Sequence, residues 1–270
     1  MTPQELEKLH GHLMDAFVEF DRVCRAQGIP YYLVTGTLLG AVRHHSIIPW
    51  DDDLDVGLMR SDYERFLKIA PSALGEKFFL QTNDTDPDYY LGYAKIRVGG
   101  TRFVEATAVD CDIHHGVYID IFPLDNAPDS MPLRRAHALL CKLLKIAVLA
   151  RSKYRVVKKD KGTHLVYGFF RVVTRPFRLR TVMGWLQRSM RLCRNEQSQC
   201  VVNIGSAYGY HKECVQRRYF DHAVELSFGG HMALAPAMWH EYLTDVYGDY
   251  MTPPPQDKRY NRHSAVELQL

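Results

Sequence analysis

TGTLLGAVRHHSIIPWDDDLDVGLMRSDYERF, residues Thr35–Phe66, is the stretch from which the fold is read. Tyr31–Val34, just upstream, reads as a short strand, Gly36-Thr37 begins a turn, and Thr37–His44 forms a short helix. Asp53–Leu58 then alternates acidic and apolar residues, as a half-buried strand does. Carboxylates two apart on a strand project to one face, so Asp53 and Asp55 form a pair. Asp51 shares their parity, and Asp52 should point away. Ser61 caps a helix through about Ala70, with Glu64 in the capping-box position.

Upstream, Thr2-Pro3-Gln4-Glu5 is a helix start with a capping box, followed by Leu6, Leu9, Leu13, Phe17, Phe20 and Val23 at helical spacing. Gly28 and Pro30 stop it. Downstream, Lys77–Leu80, Leu91–Val98 and Arg102–Glu105 are strand candidates, and Gly99-Gly100 should join the last two as a hairpin. Val117–Phe122 (VYIDIF) is a buried strand containing Asp120. Beyond Pro128 the chain turns helical through Cys200, with breaks near Lys161-Gly162 and at Pro176. A Gly- and aromatic-rich stretch, a helix near Pro236–Val246 and a Pro-rich polar tail from Met251 follow. This order describes an α+β protein. Residues 1–130 form the catalytic core, 131–200 a basic helical insertion, and 201–270 a return that completes the same domain.

The chain has 270 residues, 46% of them hydrophobic, which suffices for a substantial core. Its net charge of +3 conceals an asymmetry. Met131–Asn195 holds 17 Lys and Arg with Asp160 as its one acid, so the remainder is acidic. Such a block implies an anionic partner, and a helix lying on an anionic membrane surface fits its mixture of Leu and Arg. Nucleic acid is not expected, because Tyr154, Phe169, Phe170, Phe177 and Trp185 sit among Leu and Val at core-like spacing. No signal peptide opens the chain, no apolar run is long enough to span a bilayer, and the six cysteines show no metal-ligand spacing. A cytoplasmic protein, peripheral on the inner face of the plasma membrane, is the resulting expectation.

The chemistry centres on Gly36-Thr37, Asp53, Asp55 and Asp120. Two carboxylates on one strand face can bind Mg²⁺ or Mn²⁺, leaving coordination sites for substrate phosphates. Asp120, from a neighbouring apolar strand, can complete a two-metal arrangement or take a proton. Lys95 and Arg97 share one strand face and could grip phosphates, as could Arg43. The adjacent pairs His44-His45 and His114-His115 diverge and do not chelate one ion. Tyr247-Gly248-Asp249-Tyr250 reads first as a structural cap, with lining of the acceptor cleft as the alternative. The carboxylates alone do not separate a phosphotransferase from a nucleotidyltransferase moving NMP from NTP. A non-catalytic polymer- or membrane-binding protein is a third reading.

The opening stretch resembles the signature of the LicD family, which includes bacterial phosphocholine transferases and is related to the animal fukutin proteins. YAKIR (Tyr93–Arg97), YIDIFPLD (Tyr118–Asp125) and YGDYMTPPP (Tyr247–Pro255) resemble further pieces of it. The resemblance implies a nucleotidyltransferase-like mixed sheet flanked by helices, with Gly36-Thr37 on the glycine turn, Asp53 and Asp55 as metal ligands and Asp120 as the third carboxylate. It also implies a CDP-linked donor, usually CDP-choline, and a glycan or lipid-linked glycan acceptor. It implies nothing for Met131–Asn195.

Overall fold

Helix α1 (Pro3–Ala26) starts at its capping box: Thr2 Oγ1 accepts from Glu5 N at 3.2 Å and Glu5 Oε2 accepts from Thr2 N at 2.7 Å. The computed structural model describes residues 1–155, 161–261 and 265–270; Lys158, Lys159, Asp160 and His263 lie outside them. Gly28 ends the first helical unit in the left-handed region, at φ +58°.

Strand β1 (Tyr32–Leu33) leads into α2 (Thr35–His44), β2 (Asp55–Met59) and α3 (Arg60–Ala73). Strands β3 (Phe78–Gln81), β4 (Ala94–Val98), β5 (Arg102–Glu105) and β6 (Tyr118–Ala127) follow. The main sheet runs β1-β2-β6-β4-β3. Strand β2 lies parallel to β6, and the other neighbours in that order are antiparallel. The sheet is therefore mixed, as an α+β architecture requires. Along β6, pairing with β4 ends at Ile121, and pairing with β7 (Cys200–Val202) begins at Asp125. Pro123, which has no N–H to offer a ladder, falls in the gap on that edge. Strand β8 (Cys214–Gln216) extends the sheet beyond β7.

Alternation divides this sheet into two chemical faces. Ile119 and Ile121 pair in register with Ile96 and Val56, and this apolar face packs with α1 and α3 in the larger core. The opposite face carries Asp55, Asp120 and Lys95 in one transverse row.

Several boundaries move from the sequence expectation. Strand β2 begins at Asp55, so Asp53 lies in the extended segment before it. Helix α3 begins at Arg60, which leaves Ser61 inside its first turn rather than at its cap. The hairpin at Gly99-Gly100 does not form. Both edges of β4 are already taken by β3 and β6, and β5 turns away to pair with β11 (Ala265–Gln269) from the polar tail. Strands β9 (Ala223–Phe228) and β10 (His231–Pro236) form a separate antiparallel ribbon, and α7 (Trp239–Tyr247) starts after it.

Helices α4 (Met131–Arg151), α5 (Lys161–Val173) and α6 (Leu179–Met190) build the basic segment. Cys141, Val148, Val182, Met183 and Leu186 pack with Val202 and Ile204 in a second, smaller core. The charge asymmetry has a partly internal explanation: Lys153, Arg155, Arg180 and Arg191 reach across to Asp88, Asp110, Asp84 and Glu64 of the acidic body. Phe169 does not join a core as its spacing suggested. It stands exposed on α5, whose main packing partner among the described residues is α4.

Candidate active site

The site begins with a strained threonine. Val34 is extended, but Thr35 takes φ +49°, a left-handed conformation unfavourable for a β-branched residue. Two contacts hold it: its hydroxyl donates to Asp55 Oδ2 at 2.6 Å, and its N–H donates to Tyr242 OH at 3.2 Å. Gly36-Thr37 is consequently the first turn of α2 rather than a free turn. Thr37 Oγ1 accepts the Asp55 N–H at 2.7 Å. The two threonines thus fasten both the side chain and the backbone of Asp55 to the start of a helix.

Glycines allow the acidic segment to close on that helix. A Cβ at Gly36 would lie 3.2 Å from Asp51 Oδ2, and one at Gly40 would lie 2.5 Å from the Ser46 carbonyl oxygen. The loop after α2 therefore folds back tightly, and His10 Nε2 meets the Asp51 carbonyl at 2.7 Å. A cavity of about 300 Å³ opens here, with Asp51, Asp53 and Asp55 in its wall. Asp52 is buried outside it, as the alternation required. Gly36 and Arg43 also line the cavity; Thr37 does not.

Trp50 stands in the same wall. The guanidinium carbons of Arg43 and Arg259 lie 5.9 and 5.1 Å from its ring centroid. Burial first, and then the nearby Arg259 charge, lowers the pKa of Arg43. Arg43 Nη1 donates to the Tyr250 carbonyl at 3.1 Å, and its Nε donates to His44 Nε2 at 3.0 Å. Arg259 was missed because it lies in a polar tail with no local motif. Tyr247, Asp249 and Tyr250 also line the cavity, so the YGDY segment is part of the site wall and not merely a cap. Tyr208 joins them from the aromatic stretch after β7.

Asp120, Lys95 and Arg97 lie behind the cavity, outside its wall. Asp120 is paired in register with Asp55 on one side and with Lys95 on the other. Lys95 Nζ lies 2.7 Å from Asp120 Oδ1, yet that buried oxygen receives no directed hydrogen bond. The contact is a close ion pair. The same ammonium sits 3.3 Å from the Tyr118 ring centroid. Burial lowers the Lys95 pKa, while Asp120 and Glu105 pull it back up. Arg97 is buried too, and donates to Gln81 Oε1 at 2.8 Å and to the Gly116 carbonyl at 2.7 Å.

Among the described residues, no three His, Cys, Asp or Glu side chains form a metal-holding group. A magnesium ion, however, commonly takes one or two carboxylates and completes its shell with water and substrate phosphates. The cavity edge at Asp53 and Asp55 matches that requirement.

Residues 28–133 match the model of the LicD/FKTN/FKRP nucleotidyltransferase domain. Over 259 residues the chain is 28% identical to the lipopolysaccharide cholinephosphotransferase LicD of Haemophilus influenzae, covering 90% of each protein. A 72-residue stretch, 25% of this chain and 15% of the relative, is 36% identical to ribitol 5-phosphate transferase FKRP of Mus musculus. A 43-residue stretch is 58% identical to an uncharacterized protein of Rickettsia typhi, covering 16% of this chain and 14% of that one.

Proposed function

We propose that this chain, which belongs to the LicD family through its residues 28–133, is a phosphotransferase with a nucleotidyltransferase-like core. It moves a phospho-substituent, phosphocholine first among candidates, from a CDP-linked donor to a hydroxyl of a cell-surface glycan or its lipid-linked precursor. One observation carries the reading. A single cavity presents the Asp53 and Asp55 carboxylates, the first turn of α2 and Arg43, a set suited to both a cation and phosphate oxygens.

Asp53 and Asp55 would hold Mg²⁺ or Mn²⁺, which supplies charge neutralisation at the diphosphate when bound. The remaining work falls to the protein. The positive end of α2 at Gly36, together with Arg43 and Arg259, orients phosphate oxygens. Trp50 gives both guanidiniums a flat surface to rest on. The acceptor hydroxyl oxygen attacks the distal phosphorus in line, the bond to the CMP phosphate breaks, and CMP departs with the electron pair. The hydroxyl proton leaves to a carboxylate of the row, Asp55 at the cavity or Asp120 behind it. Asp120→Asn separates the two: it removes the acidic limb of the pH–rate profile only if Asp120 takes the proton. Lys95 holds Asp120 in place, and Arg97 supports the same sheet face from behind.

The acceptor side is assigned to an anionic membrane surface at the cytoplasmic face. No helix among the described residues is long and apolar enough to cross a membrane. Helix α5, however, presents Leu165, Phe169 and Val172 at 75%, 63% and 72% exposure, beside exposed Arg171 and Arg175. Apolar side chains and long cations on and just beyond one short helix suit the headgroup boundary. Incubation with CDP-choline, CDP-ribitol and related donors plus Mg²⁺ or Mn²⁺ tests the reaction by release of CMP. Pyrophosphate release from a nucleoside triphosphate, with no CMP from any CDP donor, would replace this reading with nucleotidyl transfer.

A further inference from the structure

Two tyrosines of the cavity wall already face a cation. Lys212 Nζ lies 4.6 Å from the Tyr208 ring centroid and 5.5 Å from that of Tyr247. Both distances are within the range at which an ammonium is attracted to a ring face. One point in space therefore faces two rings, and both rings line the cavity that contains Asp53, Asp55 and Asp249. Trp50, in the same wall, is engaged differently, under two guanidiniums that suit an anion. The cavity thus offers separate aromatic groups for the two charges of a zwitterion.

We propose that Tyr208 and Tyr247 form a subsite for a substrate ammonium, and that Lys212 occupies it until substrate displaces it. The inference rests on the phosphotransferase reading and deepens it by naming what selects the transferred group. Lys212 is exposed and sits on a flexible four-carbon stem, so its ammonium can withdraw into water. A quaternary ammonium has no N–H to leave unsatisfied against a ring, and so loses less on entering than a primary ammonium does. A neutral polyol gains nothing from the ring quadrupole. Tyr208 and Tyr247 would accordingly favour a donor bearing a trimethylammonium group over one bearing a sugar alcohol.

Calorimetric titration of the full chain with CDP-choline and with CDP-ribitol tests this. Tyr208→Leu should raise the Kd for CDP-choline by about 2- to 30-fold and leave that for CDP-ribitol unchanged. Tyr208→Phe keeps the ring and should keep the selectivity. Lys212→Gln removes the competing ammonium and should lower the Kd for CDP-choline alone. Equal changes for both donors, or unchanged selectivity in Tyr208→Leu and Lys212→Gln, would overturn the subsite. If the wild type binds neither nucleotide, the donor reading fails separately. The subsite is then read with choline chloride by saturation transfer to its methyl protons. A signal in wild type that disappears in Tyr208→Leu supports it, and no signal in wild type overturns it.

Discussion

Replacing Lys95 by Met tests the buried row behind the cavity. Lys95 and Asp120 have side chains 3% and 10% exposed, with Nζ and Oδ1 2.7 Å apart. Methionine fills a similar volume but removes the cation, stranding the Asp120 carboxylate in the sheet. Removing one partner of a buried ion pair costs about 3–5 kcal/mol. At about 2–4 °C per kcal/mol for a large single domain, Tm should fall by about 6–20 °C. Asp120→Asn should cost less, because the stranded lysine, its pKa already lowered by burial, can shed its proton. The double variant Lys95→Met/Asp120→Asn removes both charges and should regain much of the loss, giving a coupling that a double-mutant cycle measures. Melting followed by circular dichroism at neutral pH is sufficient. A Tm for Lys95→Met within about 2 °C of wild type, the equivalent of less than about 1 kcal/mol, would refute the argument. So would a double variant as unstable as the two single losses combined.

Asp53→Asn and Asp55→Asn are each expected to abolish CMP release without lowering Tm, since one fewer carboxylate relieves repulsion in the wall; near-normal turnover in either would remove that residue from the reaction. His44 has its pKa lowered from 6.5 by burial first, then by the Arg43 and Arg259 charges. Unfolded chains therefore bind more protons than folded ones between the folded value and 6.5, so the stability contribution of neutral His44 is complete above pH 6.5 and is lost as pH falls through the folded value. His44→Gln should flatten that part of the Tm–pH curve, and superimposable curves for the two proteins would contradict the assignment. Anionic liposomes should sediment the wild type at low salt and release it as salt rises, whereas Leu165→Ser/Phe169→Ser/Val172→Ser should bind poorly while retaining CMP release with a soluble acceptor. Equal sedimentation of both proteins would move the membrane contact off α5.

Much of the local structure was legible in the residues, because it is decided over a few positions. Thr2 and Glu5 cap α1 through a bond pair that spans three residues. The alternation from Asp51 to Asp55 decides which carboxylates face the cavity, since side chains on extended backbone change sides at every step. The apolar β6 segment marked Asp120 as a carboxylate requiring a partner. The identity of that partner was not legible. Lys95 had been read as a phosphate ligand, and only the antiparallel register of β4 on β6 sets it against Asp120.

Long-range closure accounts for the rest. Arg102–Glu105 looked like half of a hairpin, but a strand segment carries no mark of its partner, and β11 captures it from the far end of the chain. The exposed face of α5 has the periodicity of a core helix, and periodicity cannot say whether anything covers the stripe. By itself, the sequence determined the carboxylate pair, the capped start of α1 and the mixed α/β order, because each follows from backbone geometry and side-chain parity. Tertiary structure alone decided that Tyr208 and Tyr247 share a cavity wall with Asp53, and that Arg259 meets Trp50 of that wall. Those residues arrive from separate segments, and no local energetic term links them until the sheet and α7 have packed.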